Sequence, residues 1–144
     1  MPQPRQSNLS PMRASNATID IRNLRLRTFI GFNAEEKIKK QDVVLNIRIT
    51  YSITEAALQD HVAEALNYKV ITKQVIEHVE QGQFLLLEKL VSDVLEICSG
   101  HPDVQCSRVT IDKPHALRFA DSVSLTLEYH ANQNCTTKYL EKVS

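Results

Sequence analysis

At 144 residues, with 42% hydrophobic and 24% charged side chains, the chain has the balance of one soluble globular domain able to bury a substantial core. Its 17 Lys and Arg equal its 17 Asp and Glu, so no global field draws it to nucleic acid or anionic lipid. No apolar run approaches the roughly 18 residues of a membrane span, and the N-terminus lacks a secretory core, so a cytoplasmic protein is expected.

Residues 1–17 are rich in Pro, Gln, Ser, Asn and Arg, show no hydrophobic period, and read as an N-terminal tail. A single domain is expected over 18–130. Its first strand starts near Ile19, and the apolar phase then moves from Ile19 and Ile21 to Leu24 and Leu26, which marks a bulge at Asn23. Gly31 ends this strand. In the second strand Val43, Leu45, Ile47, Ile49, Tyr51 and Ile53 alternate with polar residues, so one face is buried. The short charged segment from Gly31 to Lys40 makes the two strands an antiparallel hairpin.

After a connection from Thr54 to Leu66 the spacing becomes helical, with Ile71, Val75 and Val79 four apart and Ile76 beside them. Asn67 is placed to cap this helix and Gly82 to end it. A second helix begins near Leu86, buries Leu87, Leu90, Val91, Val94, Leu95 and Cys98, and stops at Gly100. Strand patterns return at Ser107, Val109 and Ile111, then at Val123, Leu125, Leu127 and Tyr129. The order is ββααββ: an α+β domain with a four-stranded antiparallel sheet and two antiparallel helices on one face. Residues 131–144 are polar and read as a peripheral tail.

Cys98, Cys106 and Cys135 form no C-x-x-C pair and are odd in number, which fits a reducing compartment. The first two sit in patterned segments as packing residues, and Cys135 reads as an exposed thiol. The chain contains no glycine-rich phosphate loop and no H-E-x-x-H, and its five histidines lack metal-ligand spacing. Neither metal nor cofactor is expected.

Four residues carry the chemical interest. Glu36 by itself reads as a solvated loop carboxylate. Tyr68 reads foremost as an amphipathic packing residue near the helix start, and as a phenol it can also pass a proton. Glu88 lies at a helix start, where exposed N–H groups favour a carboxylate, and its two oxygens match adjacent N–H donors on a flat heterocycle. Lys113 closes a strand before Pro114; such a lysine keeps a strand end soluble or, desolvated among cations, acts as a base.

The segments Leu24 to Gly31, Ala65 to Tyr68, Phe84 to Leu90 and Asp112 to Arg118 resemble the dihydroneopterin aldolase family over about Ile19 to Tyr129. The resemblance implies a tunnelling fold, in which subunits join their sheets into tetrameric rings and two rings stack as a homo-octamer. It implies a pterin substrate and sites shared between subunits, with Glu36, Glu88 and Lys113 from one chain and Tyr68 from the next.

On the same resemblance, Glu88 grips the pterin edge, helped by backbone groups at Leu87 and by the neighbour's Leu66 and Asn67. Lys113, Tyr68 and Glu36 manage protons in a retro-aldol opening of the C1′–C2′ bond, without Schiff base or metal. The segment His115 to Asp121 points to the branch that epimerises C2′ of 7,8-dihydroneopterin triphosphate. Arg118 and Arg27, with Arg25 and Lys37, are candidates to hold the triphosphate, though each reads as well as a solvated surface cation.

The alternative within the family is aldol cleavage of 7,8-dihydroneopterin. The alternative of another class is a non-catalytic binding module. Neutral charge and the absence of Trp, with four Phe and four Tyr, argue against a nucleic-acid reader. Unclustered histidines argue against a zinc enzyme of the same fold.

Overall fold

The computed structural model describes residues 16–53, 58–60, 62 and 66–131. The expectations for the N-terminal tail up to residue 15, most of the connection after Ile53, His61, Cys135 and the C-terminal tail from residue 132 lie outside these residues. The elements are β1 (Asn16–Ile30), α1 (Ala34–Ile38), β2 (Gln41–Ser52), α2 (Tyr68–Glu80), β3 (Gln83–Phe84), α3 (Leu87–Cys98), β4 (Val104–Lys113) and β5 (Val123–His130). β1 starts at Asn16, two residues inside the segment that composition assigned to the tail.

The sheet runs β3-β1-β2-β4-β5. It has five strands where alternation indicated four, because β3 adds a parallel pair, Phe29 with Gln83 and Ile30 with Phe84, at the edge of β1. The other pairings are antiparallel. The bulge falls where the apolar phase shifts: register slips between Ile21 and Leu24, and Asn23 takes a φ of 56°, a left-handed conformation that asparagine tolerates. The Oδ1 of Asn46 accepts from the Asn23 N–H at 3.0 Å, replacing a lost ladder bond.

One face of the sheet is covered by helices, α2 against β1 and α3 against β4 and β5. Val43, Leu45 and Ile49 of β2, Val75 and Val79 of α2, and Leu90, Val91 and Val94 of α3 are fully buried between them. Each such side chain stabilises the fold by about 1.5–3 kcal/mol relative to exposure. Cys98 belongs to this core, and burial pushes its thiol pKa up to about 12, so it packs and does not react. The opposite face is polar, crossed by ion pairs such as Arg48 to Asp20 at 2.8 Å.

Candidate active site

The turn that carries β1 into β2 depends on one glycine. Gly31 has a φ of +129°, and a Cβ there would stand 2.1 Å from the Glu36 carboxyl carbon. The carboxylate therefore folds back over bare backbone. Asn33 caps α1: its Oδ1 accepts from the Glu36 N–H at 2.8 Å, while Glu36 Oε1 accepts from the Asn33 N–H at 3.4 Å. This reciprocal capping box fixes the start of a five-residue helix and aims Glu36 inward.

Its target is Lys113. The Nζ of Lys113 donates to Glu36 Oε2 at 3.0 Å, joining groups 77 residues apart, with side chains 14% and 23% exposed. Gln41 donates through Nε2 to the same oxygen at 3.4 Å and also to the Ile30 carbonyl. Burial pushes the Glu36 carboxyl up, but the hydrogen bonds from Lys113, Asn33 and Gln41 and the lysine charge hold it below the usual carboxylate range. The neighbour of Lys113 is thus an anion, where the sequence reading looked for cations; the turn at Gly31 is what brings the carboxylate there.

Glu88 is the second residue of α3 and is solvent-exposed, while Leu87 beside it packs on the core. Its helix begins close to the end of β1, because the Gly31 N–H donates to the Phe84 carbonyl at 2.9 Å. Register places Lys113 at that end too: Asp112 and Arg25 both oppose Val44, so Lys113 is level with Val43 and Leu26. Glu36, Lys113 and the start of α3 therefore share one end of the sheet.

Tyr68 stands at the other end. It opens α2 and lines an apolar groove of about 760 Å³ with Ile19, Ile21, Thr72 and Ile76. From Ile21 to Leu26 along β1 is on the order of 15 Å. Leu66 is buried nearby, and the Asn67 side chain is engaged as the α2 cap, accepting from the N–H groups of Lys69 and Val70 at 3.1 and 3.2 Å. One copy of the chain thus does not bring Tyr68 to Lys113.

The two phosphate candidates also separate. Arg27 donates through Nη1 to Asp42 at 2.6 Å and through Nη2 to the Lys40 carbonyl, so its charge is matched. Arg118 lies on the exposed turn between β4 and β5, with its guanidinium 5.4 Å from the Phe119 ring. Asn33 and Gln41, which help build the Glu36 position, were not singled out from the sequence, and Gly31 was read only as the end of the first strand. The Asn33-x-x-Glu36 spacing is a readable capping signature; nothing in the sequence marks Gln41.

An α+β domain with a paired lysine and carboxylate at its sheet end suits the family to which the sequence belongs: the chain is a member of the FolB dihydroneopterin aldolase family, which it matches over residues 19–128. Among its relatives, the Escherichia coli dihydroneopterin triphosphate 2′-epimerase is 51% identical over 113 residues, covering 78% of this chain and 94% of that protein. The dihydroneopterin aldolase of E. coli is 31% identical over 108 residues, covering 75% and 88%. The crystal structure of E. coli dihydroneopterin aldolase in complex with neopterin superposes with a TM-score of 0.72 at 29% identity, covering 78% of this chain and 98% of that one.

Proposed function

We propose that the protein is an isomerase that inverts C2′ of 7,8-dihydroneopterin triphosphate, giving 7,8-dihydromonapterin triphosphate. The observation that carries this reading is the sheltered Lys113–Glu36 pair at 3.0 Å, at the sheet end where the helix of Glu88 begins. The 51% identity to an epimerase, against 31% to an aldolase, supports the epimerising branch.

In this reading the Glu88 carboxylate accepts from the N3–H and 2-amino group of the pterin, two adjacent donors on one edge. Lys113 takes the proton of the 2′-hydroxyl through a water molecule, with Glu36 as its proton partner. A carbonyl then forms at C2′, the C1′–C2′ bond breaks, and its electron pair is taken up by the pterin ring. The carbonyl fragment turns over and re-adds through its other face, and the proton returns to the 2′ oxygen. No covalent bond to the protein forms at any stage. Tyr68 of a neighbouring copy completes the proton path, and backbone groups at Leu66, Asn67 and Leu87 complete ring recognition.

The same reading includes an assembly. β5 is an edge strand, and β3 covers only Phe29 and Ile30 of β1, so both flanks of the described sheet offer unpaired backbone to another copy. Rings of four stacked in pairs satisfy these edges and carry Tyr68 to a neighbour's Lys113. No helix among the described residues is long and apolar enough to cross a membrane, and the enzyme works in the cytoplasm on this reading.

Aldol cleavage is the second reading, favoured by the family match itself: if the fragment leaves before re-adding, the same groups release an aldehyde. Purified protein given dihydroneopterin triphosphate and dihydroneopterin side by side, without added cofactor, separates them. Monapterin-configured triphosphate as main product is expected. Exclusive aldehyde release would establish the aldolase, and no turnover of either would sink both.

A further inference from the structure

A triphosphate carries several negative charges and needs several cations with donors to spare. Two places near the Lys113–Glu36 pair offer cations. The first is a cleft of about 420 Å³ lined by Arg25, Arg27 and Pro114, but Asp42 and Glu80 line it as well. There Arg27 is bound to Asp42 at 2.6 Å, and its N–H donates to Glu80 Oε2 at 3.4 Å. Two cations against two carboxylates leave that cleft without net attraction for a polyanion.

The second place is the pair of segments that Lys113 and Glu36 tie together. Lys37 follows Glu36 directly on α1, and Arg118 lies five residues after Lys113 on the β4–β5 turn. Five residues span at most about 17 Å, so both cations stand on short tethers from one anchor. Both are exposed, and neither has an acidic partner among the described residues. We infer that Arg118 and Lys37 grip the triphosphate of the substrate, and that Arg27 does not. This rests on the proposed reaction and adds the residues that set the preference for a phosphorylated side chain. Arg118 is suited to bidentate phosphate contact and Lys37 to a point-charge contact. Two loops joined at the catalytic pair would hold the charged tail and the reacting carbons in one frame.

The test is steady-state kinetics of the assembled full-length protein with Arg118→Ala, Lys37→Ala and Arg27→Gln, on dihydroneopterin triphosphate and on dihydroneopterin. Loss of either grip residue should shift the ratio of the two KM values by about tenfold toward the unphosphorylated substrate. Arg118→Lys should restore part of that shift, and Arg27→Gln should leave the ratio in place. Inorganic tripolyphosphate should inhibit turnover of dihydroneopterin, about tenfold more weakly in Arg118→Ala. An unmoved ratio in both Ala variants, or a larger shift at Arg27, would overturn the assignment. Absence of turnover by the unsubstituted protein on either pterin would instead overturn the reaction beneath it.

Discussion

The two ends of the sheet are built differently. At the end where β1 stops, the positive-φ turn at Gly31, a capping box at Asn33 and a strand-end lysine converge on one carboxylate. At the other, Tyr68 starts a helix beside an apolar groove, half-exposed and with no side-chain partner among the described residues. One end is preorganised and the other is an open apolar surface. On the proposed function, the contrast means that each chain supplies two half-sites, and that catalysis requires unlike ends of different copies to be joined.

The largest effect is expected from breaking the preorganised end at its base. Lys113→Ala should lower kcat about 10²–10⁴-fold, the range for losing a positioned proton-transfer group, while the assembly stays intact by light scattering. Turnover within tenfold of the parent would remove Lys113 from its role. Gly31→Ala sharpens the comparison from the backbone side. An alanine at φ +129° is strained by roughly 1–3 kcal/mol, and its Cβ meets the Glu36 carboxylate, so melting temperature and activity should fall together. The same substitution reaches no group at the Tyr68 end, whose backbone should keep its hydrogen-exchange protection.

A smaller effect comes from pH. The folded pKa of Glu36 lies below its unfolded value, so the stabilisation it contributes is present above the ordinary carboxylate pKa of about 4.3. It is lost as pH falls through the lower folded value. Glu36→Gln should abolish that part of the acid dependence, read from melting temperatures across the acid range; an identical profile in the variant would contradict the pairing.

Much of this fold is written as periodicity. The β2 alternation and the Ile71, Val75 and Val79 stripe are buried as their spacing required, and the phase shift at Asn23 marks a real bulge. β3 escaped because two residues carry no period, and α1 because five residues are too short for an amphipathic stripe. The site was legible only in part. The Lys113–Glu36 pair spans 77 residues and is set by strand register and the turn at Gly31, neither of which spacing encodes. Spacing likewise does not show that Arg27 has Asp42 opposite it, which only the strand register reveals.

The central claim, that unlike ends of two chains make one site, is tested most directly by complementation. Lys113→Ala and Tyr68→Phe proteins, each deficient alone, are dissociated, mixed in equal amounts and reassembled. Random mixing should restore about a quarter of the parental sites, because that fraction joins an intact lysine end to an intact tyrosine end. Mixed assemblies, verified by mass, that regain no activity beyond the two variants measured separately would contradict it.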